Sequence, residues 1–135
     1  MPDRPLLHTA HVPVRWGDMD ALGHVNNATY FTYAEQARIE WLAHVFPEGW
    51  PDDGGPILAS IRADYRAPVH APATVSVEVL GGEAGRSSLT QGYRLLVDDR
   101  VVCEVEAVLV WVSKDTGRPV SLPDAIRASN AGDIA

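Results

Sequence analysis

The sequence predicts an α+β domain in which an antiparallel sheet of about five strands wraps around one long central helix. Three observations predict it. A single stretch, from about Ala28 to Phe46, carries helical periodicity over several turns. Five other runs have strand character, one before the helix and four after it. That order lacks the strand–helix alternation of a parallel doubly wound sheet. The 135 residues suit one domain spanning 1–135, large enough to bury a core without disulfides or metal.

Residues from about 9 to 16 alternate, with Val12, Val14 and Trp16 on one face, and Pro13 puts this strand at an edge or shortens its pairing. In the helix, Tyr30, Ala34, Ala37, Trp41 and Val45 form a stripe that Phe31, Leu42 and Phe46 widen. Glu35, Gln36, Arg38 and Glu40 supply its polar positions, and Pro47 and Gly49 stop it. A loop rich in Pro, Gly and Asp runs from Pro47 to Pro56. Strands are expected at about 57–66, 73–81, 87–97 and 101–113, in a meander, with a tight hairpin at Val97-Asp98-Asp99-Arg100-Val101. In the last strand Cys103, Val105, Ala107, Leu109 and Trp111 share one face and Val108, Val110 and Val112 the other, so its end should be buried on both sides. The polar tail after Gly117 should hold a short helix near Pro123 to Ser129. One helix cannot cover a whole sheet, so the outer face invites a second subunit.

Composition narrows the function. Hydrophobic content of 46% and charged content of 21% describe a globular protein. A net charge of −7, with no basic tail or stripe, argues against nucleic acid as a partner. No run reaches membrane-spanning length and no apolar targeting segment is present, so no membrane partner is expected. The single cysteine, Cys103, suits a reducing compartment, and cytoplasmic localisation is the expectation.

The stretch Trp16 to Tyr30 carries the chemistry. There is no G-x-S-x-G elbow, P-loop, G-x-G-x-x-G or H-E-x-x-H pattern. Asp18-x-Asp20-x-x-Gly23 superficially matches a calcium loop, but Leu22 and Thr29 occupy ligand positions. His8-x-x-His11 alone is poor metal spacing, so no metal and no cofactor are expected. What remains is carboxylate chemistry. The Gly23 turn can fold Asp20 back beside the helix N-terminus, where Asn26 or Asn27 is well typed as a cap and unpaired N–H groups can bind a developing negative charge. Such a donor is worth roughly 3–4 kcal/mol in other enzymes. A carboxylate there can attack a carbonyl or activate water, and a thioester needs no strong general acid because a thiol leaves easily. The plainer roles stay open at this point: Asp18 and Asp20 as turn acceptors, His24 as a loop residue, Tyr30 as core, Asn26 and Asn27 as caps.

The run from Trp16 to about Leu42 adds a resemblance. Its pattern, Asp18-x-Asp20-x-x-Gly23-His24-Val25-Asn26-Asn27-x-x-Tyr30 with an E-x-A-R-like segment at Glu35 to Arg38, closely resembles the hot-dog-fold acyl-CoA thioesterases of the 4-hydroxybenzoyl-CoA thioesterase-like family. Asp64-Tyr65-Arg66-Ala67-Pro68 and Gly85-Arg86-Ser87-Ser88 also resemble segments of that family. The resemblance implies Asp20 as catalytic nucleophile or general base and the Asn27 N–H as oxyanion donor. Asp18 supports them, with Gly23, His24 and Asn26 in the same loop. Tyr30, Phe31 and Ala34 would line the acyl pocket, and sheets would pair into a homodimer or homotetramer. Coenzyme A, the polyanionic part of the substrate, would need local arginines on so acidic a protein. Arg62 and Arg66 share strand parity, and Arg86, beside Ser87 and Ser88, is the preferred phosphate contact, its plainer role being a solvated surface residue. The alternatives are a non-catalytic acyl-CoA sensor, hydration or dehydration of acyl thioesters, and an acyl carrier protein as thioester carrier.

Overall fold

A computed structural model describes residues 3–133. In chain order it contains β1 (Leu6–Pro13), α1 (Thr29–Val45), β2 (Gly54–Tyr65), β3 (Thr74–Leu80), β4 (Ser88–Val97), β5 (Arg100–Ser113) and α2 (Asp124–Asn130), with one 3-10 turn at Trp16–Asp18. The five strands form one sheet in the order β1-β3-β4-β5-β2, every pairing antiparallel. The expected α+β architecture is present. Asp98 and Asp99 have φ of 51° and 63°, the left-handed pair that a two-residue hairpin requires between right-twisted strands.

The four later strands are not a simple meander. β3, β4 and β5 follow one another, but β2 lies beyond β5 at the far edge. Its 12 residues match the 14 of β5, whereas β3 is already paired with β1 on one side and β4 on the other. The connection from β2 to β3 carries Pro68 and Pro72 and forms no tight turn. The first strand also ends earlier than its alternation suggests. Pro13 is the last residue in register, opposite Thr74, and Trp16 is 84% exposed on the 3-10 turn. The cause is Asp18, whose carboxylate takes the Arg15 N–H and bends the chain out of the ladder.

The helix packs on β1 and β3 and less on β5. Tyr30, Tyr33, Ala34, Ala37, Trp41 and Leu42 are buried against Ala10, Val75, Val77, Val79 and the inner row Cys103, Val105, Ala107, Leu109 and Trp111. Arg38, expected on the polar side of the helix, is instead buried. Its Nη1 donates to the Tyr93 hydroxyl at 3.3 Å, which donates to Gln91 Oε1 at 2.6 Å, and Gln91 Nε2 reaches Asn130 on α2 at 3.3 Å. A polar chain thus threads the core, because a buried guanidinium needs acceptors and these side chains supply them.

The part of the sheet away from α1 is less covered. Leu58 and Ile57 on β2 are 45% and 52% exposed, and Val108, Val110 and Val112 on the outer row of β5 are half-buried, not fully buried. No helix among the described residues is long and apolar enough to cross a membrane.

Candidate active site

The loop between β1 and α1 is a folded-back strap. Met19 and Val25 form an antiparallel bridge, the Asp20 N–H donates to the His24 carbonyl at 2.7 Å, and the Gly23 N–H donates to the Asp20 carbonyl at 3.0 Å. Gly23 sits at φ 78°, a conformation that only glycine adopts without strain and that closes the turn. At the loop's base the Asn26 N–H donates to the Asp18 carbonyl at 2.9 Å.

The two aspartates have different surroundings. Asp18 is buried: its Oδ2 accepts the Arg15 N–H at 3.0 Å and the Tyr33 hydroxyl at 2.8 Å, and its Oδ1 accepts the Arg15 guanidinium at 3.0 Å. Burial alone would push this carboxyl up, but the Arg15 N–H, the Tyr33 hydroxyl and the Arg15 guanidinium together outweigh it and hold it below its ordinary range. All its capacity is used within the fold. Asp20 is half-buried, and only its Oδ1 is engaged, by the N–H groups of Leu22 at 2.9 Å and His24 at 3.4 Å. Among the described residues nothing bonds to its Oδ2.

Asp20 opens onto a cleft of about 360 Å³. The strap contributes Leu22, His24, Val25 and Asn27 to its walls, and α1 contributes Tyr30. The far wall is the end of β2 and the residues after it, Tyr65, Arg66, Ala67 and Pro68. Tyr30 is buried and its ring lies 5.0 Å from that of Tyr65. The Asn27 N–H donates to no acceptor among the described residues, and Asn27 lines the same cleft as the half-engaged Asp20 carboxylate. Asn27 itself does not cap the helix. Ala28 occupies the cap position without a side-chain bond, and Asn26 Oδ1 accepts the Ala28 N–H at 2.9 Å, closing a turn before the helix begins.

Not every expected residue reaches this cleft in the single chain. Ala34 is fully buried in the core, and Phe31 is half-buried against it. Arg86, Ser87 and Ser88 lie at the start of β4, with Ser88 opposite Val110 on β5, while the cleft lies where Tyr65 is opposite Cys103. Seven residues of strand separate the two, roughly 23 Å at about 3.3 Å per residue. Arg86 donates to Ser121 Oγ at 3.2 Å instead. Conversely, Tyr65, Arg66, Ala67 and Pro68 line the cleft, although the sequence marked them as a family-like segment and noted Arg66 only for its strand parity with Arg62. An aromatic residue ending a strand just before a proline was the available signal.

Other chemistry is poorly placed. Cys103 is buried, and burial, with Asp64 and Glu104 nearby, pushes its thiol up to about 11, which leaves it un-ionised at neutral pH. A larger cavity of about 510 Å³ lies beside Arg4, Glu83, Glu106 and Asn130. There Glu106 is paired with Arg4, whose guanidinium also donates to the Gly81 carbonyl. Among the described residues no three His, Cys, Asp or Glu side chains stand together as metal ligands.

Residues 14–129 match the family model of the thioesterase-like superfamily. The chain belongs to that superfamily. Its fold is the hot-dog fold of those thioesterases, and its enzyme class is that of the thioester hydrolases. The PA2801 protein of Pseudomonas aeruginosa, a candidate thioesterase, superposes with a TM-score of 0.85 at 43% identity, over 92% of this chain and 98% of that one. A thioesterase from Thermus thermophilus, complexed with coenzyme A and Zn, superposes with a TM-score of 0.80 at 33% identity, over 93% of this chain and 98% of that one. The 1,4-dihydroxy-2-naphthoyl-CoA hydrolase of Synechococcus sp. (strain WH7803) is 30% identical over 84% of this chain and 81% of its own.

Proposed function

We propose that this thioesterase hydrolyses acyl-CoA thioesters to a free acid and coenzyme A, with Asp20 as the reacting carboxylate and the Asn27 N–H as oxyanion donor. The observation that carries the reading is the pairing in one cleft of an Asp20 anchored through one oxygen only and an amide with no partner among the described residues. Two routes are chemically balanced. Asp20 Oδ2 attacks the thioester carbon, the C–S bond breaks to a thiolate, and one water opens the resulting anhydride to the free acid and the restored Asp20 carboxylate, a proton from that water passing to the thiolate. Alternatively Asp20 takes a proton from water as that water attacks, and the proton passes to the departing sulfur. In both, charge develops on the thioester oxygen, where a fixed N–H stabilises it without reorganisation.

A homodimer paired through β2 belongs to the same proposal. β2 is an edge strand of 12 residues with Ile57 and Leu58 exposed, the kind of edge that pairs with another copy. Antiparallel pairing of β2 with its counterpart about its middle would bring the Gly54 end of one chain beside the Tyr65 end of the other. The second copy's Arg86, Ser87 and Ser88 then come to the same end of the extended sheet as the first copy's cleft. That arrangement gives the coenzyme phosphates a bidentate cationic contact on an acidic protein.

Release of free thiol from a panel of acyl-CoAs, read with a thiol reagent, tests the activity. Turnover of at least one aromatic or aliphatic member is expected; acyl-CoA binding without release would favour a sensor. Arg86→Ala should raise KM for the CoA ester several-fold with kcat unchanged. For a truncated thioester lacking the nucleotide phosphates, the same variant should match the wild type. Equal KM for the full ester would remove Arg86 from the site.

A further inference from the structure

The stretch after β2 clasps the strap from outside and meets two peptide units that hold Asp20. The first is the Gly23–His24 peptide. Its N–H, on His24, donates to Asp20 Oδ1 at 3.4 Å, and its carbonyl, on Gly23, accepts His70 Nδ1 at 2.8 Å. The histidine nitrogen is the donor, since a carbonyl can only accept. The second is the His24–Val25 peptide, whose carbonyl accepts the Asp20 N–H at 2.7 Å and whose N–H donates to the Val69 carbonyl at 2.8 Å. Each planar unit thus carries Asp20 on one edge and Val69 or His70 on the opposite edge. Tyr65 and Ala71 add contacts on either side, the Tyr65 hydroxyl donating to the Asn27 carbonyl at 2.7 Å and the Ala71 N–H to Met19 Sδ at 3.4 Å.

We propose that His70 is a positioning residue for thioester hydrolysis, holding the Asp20 carboxylate in place through the Gly23–His24 peptide. The inference rests on the reading of Asp20 as the reacting group given above. In either route the free Oδ2 has to meet a thioester carbon or a water, so Oδ1 has to be pinned. The Leu22 N–H pins it at 2.9 Å, but the second donor, His24 N–H at 3.4 Å, is long, and so long a bond does not by itself fix the peptide that makes it. Gly23, at φ 78° and without a Cβ, leaves that peptide free to rotate, and the bond from His70 takes the freedom away. A donor on the carbonyl also polarises the amide, which strengthens its N–H toward the carboxylate. His70 stands outside the walls of the Asp20 cleft, so it acts on the chemistry through the strap and not on the substrate.

The His70 ring also stands edge-on to the ring of His24, centroids 4.7 Å apart, and His24 lines the cleft. Two variants separate the bond from the ring. His70→Asn keeps an N–H donor near the place of Nδ1 and drops the ring, whereas His70→Phe keeps a ring and drops the donor. The residue is exposed, so both should fold, which a thermal melt checks. His70→Phe should lower kcat roughly 10-fold, short of the roughly 100-fold that misplacement by about 1 Å can cost, with KM within about twofold. Its His24 amide should exchange faster with solvent. His70→Asn should keep the wild-type kcat and the wild-type exchange rate. A His70→Phe kcat equal to the wild type's, a KM that rises in step with the loss, or a His70→Asn as impaired as His70→Phe overturns the proposal. Asp20→Asn, assayed beside them, tells the two levels apart. Normal turnover in that variant overturns the reading of the site, whereas an inactive Asp20→Asn beside a fully active His70→Phe overturns the role of His70 alone.

Discussion

Asp20→Asn should lose thioester hydrolysis by roughly 10²- to 10⁴-fold in kcat/KM, the scale of removing a positioned acid–base group, while the protein stays folded. Asparagine keeps an oxygen where Asp20 Oδ1 accepts the Leu22 and His24 N–H groups, so the turn around Gly23 persists. What disappears is the charge on Oδ2. A neutral amide neither attacks a thioester carbon nor takes a proton from water. Thiol release measured beside a thermal melt checks both halves. Ordinary turnover in this variant would mean that the carboxylate is a turn acceptor and that the chemistry lies elsewhere in the cleft.

Asp18 should behave in the opposite way. Asp18→Ala strands the buried Tyr33 hydroxyl and the Arg15 N–H without their acceptor. Leaving buried donors unpaired costs about 1–3 kcal/mol, and urea unfolding should show a loss of that size. Partial turnover should remain, since Asp20 and Asn27 keep their own bonds. The effect depends on pH. The folded carboxyl sits below its unfolded value of 3.8, so the unfolded chain binds more protons in that interval and stability rises with pH through it. The contribution is fully present above the unfolded value and is lost as pH falls through the folded one. The gap between the wild type and Asp18→Asn should therefore be constant near neutral pH and close only in strong acid. Abolished activity at unchanged stability would instead give Asp18 a part in the chemistry.

Much of this protein is written locally. The periodicity around Trp41, the paired aspartates at 98 and 99, the polar tail with α2, and the order of glycine, acid and helix at the strap each depend on residues within a turn or two of one another. Asp20 could be singled out because its turn and its helix follow within ten residues. Where local spacing misled, a distant partner settled the outcome. Arg38 has a surface residue's spacing on α1, but Tyr93, 55 residues away, holds it in the core. Asn27 is typed as a cap, but Asn26 closes the turn first, and Tyr65 holds the peptide that follows it.

The fold class, the long helix, and the acid-turn-helix strap with Asp20 at its head were legible in the residues alone, since propensity, turn chemistry and periodicity act over a few positions. Three outcomes needed the packed chain: β2 closes the sheet beside β5, Asp18 is used up within the fold while Asp20 keeps a free oxygen, and the segment from Tyr65 to His70 holds the strap. Each depends on pairing groups that packing, not spacing, brings together. A chain folds that way because each buried polar group must find a partner wherever the packed elements bring one, and sequence spacing does not record which it will be.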